Sequence, residues 1–584
     1  MKEEETKCKA TVGEILNTFA DNTTAHGCGS ISRSKHKLGK LVWSVIFLGC
    51  ICTACQGLVA IFVTYFGYPT TDTVTLERRE LEIPSVTICS LFPFTISSQM
   101  TLPVPGADTN LAKLLTLFHV YHYGTFYGEH KDEYRKHKNR INSYAALFEN
   151  VEDDQKLLYT HDLSNMLEQC FFNGKPCDDS FFSEIENANY QKCFTFNGAG
   201  LNLTDMTALA TDPNNGLSMV LFLDAYKANY TLPGGMIYNP ENPNSGTTGI
   251  HVTIHSPQTM PFPTIEGFDV PPGYSTTIGL TPVARERLPE PYGVCTNQEY
   301  IEGTQFKYSE LGCLAQCVQK EMMDQCGCIT AYLPYPNDTQ GMLYCGDLNL
   351  DNFLNPLGPN ITLMDDDFNS LECEDRLMML GFTDNMTERC PLCLPACNAM
   401  KYEQTIAQAL WPFNYVQGNF LTNTLVYGPD NNQTRRSFKL FEDLLADWPA
   451  QMDYIINTGM VRQNFLRVNI YFKDFTVETT KQTVAYGLNN MVSDIGGTLG
   501  FYVGISVVTL CEFLNLFWMI ICACLRRCKS AGARRSDNVE VIQVKEANQS
   551  TDGKTQYDIE FTKNLAHLHN DTMPRNDFSS AFKY

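Results

Sequence analysis

The chain has 584 residues, 43% of them hydrophobic, with a net charge of −22 and a sequence pI of 4.9. It is too long for one small domain, and its acidic balance excludes a basic nucleic-acid surface. The charge is uneven: residues 41–524 hold 52 acidic against 26 basic residues, whereas both ends are slightly basic.

Residues 1–40 are polar, with no apolar core of a cleavable signal. They contain His26-Gly27, a dipeptide whose default reading is a surface loop. Arg33, Lys35, Lys37 and Lys40 then lead into Leu41–Phe66, 26 residues without a charge. This run is long enough to span a bilayer. It ends in Thr64-Tyr65-Phe66, an interface-like aromatic edge rather than a small-residue cleavage site.

Residues 67–488 form the large middle region. Ile83–Cys89, Gly216–Leu223, Ile250–His255 and Leu466–Phe475 alternate or are β-branched and read as strands. Leu111–Tyr159 has helix-compatible charge pairs. Ser309–Cys328 reads as a helix with Cys313 and Cys317 one turn apart on one face. The proline-rich stretches Pro257–Pro272 and Leu288–Tyr292 read as ordered loops.

Residues 489–525 are the second apolar stretch. From Ile495 to Leu525 the sole charge is Glu512, and Gly496, Gly500 and Gly504 recur every fourth residue. A glycine stripe on one helical face suits helix packing. Ser506, Glu512 and Asn515 place polar groups at membrane depth, where a carboxylate costs roughly 2.5–3.5 kcal/mol unless it faces water or a partner. The stretch therefore reads either as a packing helix or as the lining of an ion pathway. Arg526, Arg527, Lys529, Arg534 and Arg535 follow it. By the positive-inside rule both ends are expected to be cytoplasmic. The tail, 526–584, lacks periodicity and is expected to be disordered.

Of 23 cysteines, 14 lie between Cys89 and Cys397, and the sequons at Asn202, Asn229, Asn337, Asn360, Asn385 and Asn432 fall in the same region. An even cysteine number with sequons points to a disulfide-bonded, glycosylated extracellular domain. Zinc at Cys326-Gly-Cys328 and Cys390-x-x-Cys393 is the rival reading.

From His26 to about Arg527 the chain resembles the degenerin/epithelial sodium channel superfamily. The resemblance rests on His26-Gly27, IPSVTIC, KCFTFN from Lys192, GLSMVLFL and IHSPQTMPFPTIEGFDVPPGYSTTIGL. It continues through RLPEPYGVC, CLAQCVQKEMMDQCGCITAYLP, CLPACNAMKY and NFLRVNIYFKDFTVETTKQTVAY, all in the same order. It implies a two-span membrane protein with a large, disulfide-rich α+β extracellular domain of palm, finger and thumb. Two spans cannot enclose a pore alone, and the family implies a trimeric channel, homotrimeric or heterotrimeric, for sodium, blocked by amiloride-type compounds and without a cofactor. No bound metal and no enzymatic activity are expected.

The resemblance also implies residue roles. Gly504, Ile505 and Ser506 stand at the selectivity filter, where the family has Gly-Ala-Ser, so Ile505 is a departure. Ser493, Asp494 and Gly497 stand at the outer mouth and pore, and Glu512 forms a carboxylate ring beyond the filter. His26, Gly27 and the paired aromatics Tyr68 and Tyr292 take part in gating. The implied disulfides are Cys89–Cys193, Cys170–Cys177, Cys295–Cys397, Cys313–Cys393, Cys317–Cys390, Cys326–Cys373 and Cys328–Cys345.

Acid-sensing relatives carry a histidine after the tyrosine that ends the first span, whereas Pro69 follows Tyr68 here. The finger region, about Thr101–Leu167, combines acidic, histidine and aromatic residues suited to a small cationic peptide. The expectation is thus opening by a short amidated neuropeptide of the FMRFamide kind, with proton gating and a constitutively open channel as alternatives. A membrane-anchored receptor without a pore is the competing class.

Overall fold

The computed structural model describes residues 12–25, 27–99, 109–114, 143–152, 156, 159–201, 203–228, 246–333, 341–353, 365–381, 389–427 and 434–525. His26, all six sequon asparagines, much of the finger region and the tail after residue 525 lie outside these. The longer helices are α1 (Val12–Asn22), α2 (Cys28–Arg33), α3 (Lys37–Phe66), α4 (Glu310–Cys326), α5 (Asp365–Gly381), α6 (Arg436–Leu445), α7 (Trp448–Thr458), α8 (Leu488–Val503) and α9 (Val507–Leu525). The chain divides into two compact units, one built from both ends and one from Gly67–Gly487.

In the terminal unit, α3 and α9 are each long and apolar enough to cross a membrane. Gly57 of α3 meets α8 so closely that a Cβ there would lie 2.9 Å from Thr498 Cγ2. The glycine stripe on α8 does something else. Among the described residues nothing approaches a Cβ at Gly496 within 4 Å. The close helix contact thus uses Gly57, while a Cβ at Gly500 would lie 4.0 Å from Ile505 O and Gly504 falls beyond the end of α8.

The central unit is built on two sheets. The strands are β1 (Thr70–Arg78), β2 (Ser85–Ser90), β3 (Leu167–Phe172), β4 (Lys175–Pro176), β5 (Phe182–Asn187), β6 (Gln191–Phe196) and β7 (Leu217–Phe222). They continue with β8 (Ile250–His255), β9 (Phe268–Val270), β10 (Tyr274–Glu286), β11 (Asn398–Leu410), β12 (Phe465–Phe472) and β13 (Thr476–Val484). One sheet runs β1-β13-β10-β12-β7-β3-β4 with β11 on β10, and the other runs β5-β6-β2-β8-β9. β10 is the spine: β11 pairs along its whole length, while β12 takes its first half to Leu280 and β13 its second half from Val283. Pro282 falls in the step between these two partners, where a residue without an N–H is tolerated.

The core lies around β2, β6, β7, β8, β10 and β12 and holds Ile88, Phe196, Leu221, Val252, Ile278 and Ile470. β7 is buried on both faces. Leu217, Met219 and Leu221 face this core, while Val220 and Phe222 join a second cluster with Phe441, Ile455 and Phe465. Burial on both faces explains why GLSMVLFL is a nearly continuous apolar run.

The cysteine-rich segment centres on α4. Ser309 caps it by accepting a hydrogen bond from the Gly312 N–H at 3.1 Å, and Gly327 closes it in the left-handed conformation at φ 70°. Seven disulfides join Cys89–Cys193, Cys170–Cys177, Cys295–Cys397, Cys313–Cys393, Cys317–Cys390, Cys326–Cys373 and Cys328–Cys345. Cys326, Cys328, Cys390 and Cys393 are therefore all paired, which leaves no thiolate there for zinc. The sequence reading differs from the structure in the central unit and in the N-terminal segment. The last expected strand stops at Phe472 rather than Phe475. The polar N-terminal segment, for which the sequence reading assigns no element, is helical over Val12–Asn22 and Cys28–Arg33.

Candidate ion pathway

The second apolar stretch is two helices, broken at Gly504-Ile505-Ser506. A helix broken within hydrocarbon must satisfy the amides it frees, or pay several kcal/mol for each. The residues here do so locally. Gly504 turns left-handed at φ 65°, a conformation that costs glycine nothing. Its N–H reaches Gly500 O at 3.1 Å, and the Ile505 N–H reaches Leu499 O at 3.2 Å. Ser506 then caps α9: its Oγ accepts from the Thr509 N–H at 3.3 Å, and the Thr509 Oγ1 accepts from the Ser506 N–H at 3.2 Å. This reciprocal pair has the form of a capping box, with Thr in place of the usual Glu or Gln. The last carbonyls of α8 are left without partners of their own helix.

The N-terminal segment reaches this region. Glu512 Oε2 accepts from both Thr23 Oγ1 and the Thr24 N–H, each at 2.9 Å, and Thr24 Oγ1 lies 2.7 Å from Thr509 Oγ1. Below these contacts, Val12, Ile15 and Phe19 of α1 pack on Leu516, Met519, Ile520 and Ala523 of α9. The rings of Phe19 and Phe513 lie 5.1 Å apart. The turn into α2 is held by Ser32 Oγ and Arg33 Nη2 donating to Asp21 at 2.5 and 2.9 Å. Gly27 sits in that turn at φ 97°, where an added Cβ would come within 2.6 Å of Phe47 Cδ2. Both the conformation and the space demand glycine.

The other candidate residues separate into groups. Ser493, Asp494 and Gly497 are exposed along α8. Glu512 is half-buried on α9, within the hydrogen-bonded group that also contains Ser506 and Thr509. In the central unit, the Tyr68 and Tyr292 rings meet edge to face at 5.3 Å and 83°. The sequence marks Thr23, Thr24 and Thr509 only weakly. The Ser-x-x-Thr spacing after Gly504 and the Val12, Ile15, Phe19 spacing were the signals available.

Titratable groups are buried in the central unit. His255 lies between Thr87 Oγ1 at 2.9 Å and Thr259 Oγ1 at 3.0 Å, and burial lowers its pKa to about 4. His161 contacts Ser90 Oγ and Phe92 O at 3.0 Å; burial, with Arg436 nearby, also lowers it to about 4. Asp224 accepts from the Ser97 N–H and Oγ, yet burial raises its pKa to about 6.

A chain with an apolar stretch towards each end, a disulfide-rich α/β unit between them and a capped break in the second stretch matches a known class. The family model described as amiloride-sensitive sodium channel matches residues 19–516. The chain belongs to this family of ion channels and is not an enzyme. Among its relatives is the FMRFamide-activated amiloride-sensitive sodium channel of Cornu aspersum, 29% identical over 86% of this chain and 82% of that protein. The bile acid-sensitive ion channel of Rattus norvegicus is 26% identical over 86% of this chain and 88% of its own length. Degenerin mec-10 of Caenorhabditis elegans is 26% identical over 66% of this chain but 45% of that protein.

Proposed function

We propose that this chain forms a trimeric, sodium-preferring cation channel, as three copies or together with related subunits, opened by a short extracellular neuropeptide. The observation that carries the channel reading is the capped break at Gly504–Ser506 on the helix that also bears Glu512. At such a break the freed carbonyls replace part of a cation's hydration shell. In this reading Asp494 and Glu512 draw cations to either side of the filter, and Ser493 and Gly497 line the approach. The Ser506 hydroxyl spends part of its capacity on capping, so backbone oxygens supply most of the ligands. Ile505, bulkier than the family's alanine, tunes the preference for sodium over potassium. In this reading both termini are cytoplasmic, which the flanking Lys and Arg residues support. The central unit then faces outward with its sequons and senses the ligand. Tyr68 and Tyr292 relay its movement, and His26-Gly27 acts on opening from the inside.

Peptide gating is supported by the likeness to a FMRFamide-activated channel over most of the chain. Proton gating is the second reading, favoured by Asp224, which burial brings to about 6. His161 and His255 do not favour it, since both titrate near 4. The test is to apply FMRFamide, and separately a step to about pH 5, to outside-out patches from cells expressing the chain alone. Peptide currents without acid currents support the proposal; acid currents without a peptide response refute it.

A further inference from the structure

Thr509 is fully buried at 0% exposure, whereas its neighbours Val507, Val508 and Leu510 are exposed. Its hydroxyl meets three groups: the Ser506 N–H at 3.2 Å, Ser506 Oγ at 3.2 Å and Thr24 Oγ1 at 2.7 Å. We infer that Thr509 is a positioning residue for ion selection, setting the orientation of the Ser506 hydroxyl and tying it to the N-terminal segment. The inference rests on reading Gly504–Ser506 as the filter.

A threonine hydroxyl has one proton and two lone pairs. The Ser506 N–H takes one lone pair, so Thr509 donates its proton either to Thr24 or to Ser506. If it donates to Thr24, Ser506 gives its own proton to Thr509. Ser506 then keeps one lone pair beyond the one used by the Thr509 N–H, and that lone pair is free for a cation. If Thr24 donates instead, Thr509 donates to Ser506, and the Ser506 proton points away from Thr509. A cation would then meet a hydrogen in place of a lone pair. The direction of this short proton chain is therefore decided at Thr24. Thr24 is held in turn by its own N–H bond to Glu512 at 2.9 Å. Removing the Thr509 hydroxyl cuts the chain while leaving the bulk of the side chain in place.

The experiment measures reversal potentials under bi-ionic Na⁺/K⁺ and Na⁺/Li⁺ conditions for Thr509→Val, Thr509→Ser, Thr24→Val and Ser506→Leu, with surface labelling of each. Thr509→Val should change the permeability ratio by roughly threefold or more, the order expected for one lost hydrogen bond. Thr509→Ser should restore it. Thr24→Val should shift the ratio in its own right, and it decides the matter if Thr509→Val fails to reach the surface. Unchanged ratios in both Thr24→Val and Thr509→Val, with a changed ratio in Ser506→Leu, overturn the role of Thr509 and leave the filter in place. Unchanged ratios in all, Ser506→Leu included, overturn the filter reading and this inference with it.

Discussion

Thr24 and Glu512 are 488 positions apart in sequence and are joined by a backbone N–H···Oε2 hydrogen bond of 2.9 Å. Thr23 donates to the same oxygen. The carboxylate therefore has two separable duties, as a charge near the pathway and as the acceptor that holds the N-terminal segment. Glu512→Gln retains an acceptor but removes the charge, whereas Glu512→Ala removes both. Single-channel conductance should fall in both variants, since each loses the charge. Only Glu512→Ala should also alter opening, because it removes the acceptor that Thr23 and the Thr24 N–H share. Equal opening in the two variants would show that Glu512 does not hold the segment.

Gly27→Ala should reduce current by disrupting the turn between α1 and α2. Two costs add: a side chain in a left-handed conformation, worth roughly 1–3 kcal/mol, and the 2.6 Å approach to Phe47. Phe47→Leu relieves only the second, so the double variant should recover part of the current. Full recovery would mean that space alone matters, and a Gly27→Ala channel with ordinary currents would remove the turn from the account.

Breaking Cys317–Cys390 should destabilise the cysteine-rich segment without abolishing the sheets. This bridge joins α4 to residues 73 positions later. A paired Cys317→Ser/Cys390→Ser variant should lose roughly 2–5 kcal/mol, read as a lower unfolding temperature of the purified protein. Non-reducing peptide mapping of the unaltered protein should recover the two cysteines in one linked fragment. A fragment linking Cys317 to another cysteine would contradict the arrangement.

Much of this architecture was legible locally. Ser309 and Gly327 mark the ends of α4 by their capping chemistry, and GLSMVLFL shows burial on both faces of β7. Other elements gave weaker signals. β1 is exposed along nearly its whole length, so in TTDTVTLER the apolar alternation shrinks to Val74 and Leu76. β10 contains Gly279 and Pro282, residues that argue against a central strand until its change of partner is known. The break at Gly504–Ser506 was read through family resemblance, although a left-handed glycine followed by a capping serine is a local signal. The contacts of Thr23 and Thr24 with Glu512 and Thr509 could not be read this way. They depend on a fold that brings the two ends of the chain together.

The pH response of stability has a definite sign. His255 drops from its ordinary 6.5 to about 4 because burial disfavours its charged form. Between these values the unfolded chain binds a proton that the native state does not, so stability falls as pH falls. His161 acts in the same direction. Asp224, raised from 3.8 to about 6, acts in the opposite one: the native state is protonated first and gains stability as pH falls through 6. Glu168 and Asp347, both raised by burial, act in the same direction as Asp224. His255→Asn should therefore flatten the loss of unfolding temperature from pH 7 to 4.5, retaining roughly 2 kcal/mol that the unaltered protein loses. Parallel profiles would show that His255 is not held neutral.

The central claim, that this chain forms a sodium-preferring pore closed until a ligand binds, is tested most directly with the purified protein alone in planar bilayers. With sodium on one side and potassium on the other, the account predicts silence at rest. FMRFamide should then evoke a current whose reversal potential favours sodium and which amiloride blocks. Folded, correctly inserted protein that passes no cation current under peptide or acid, or a current that amiloride leaves intact and that does not distinguish sodium from potassium, would contradict it.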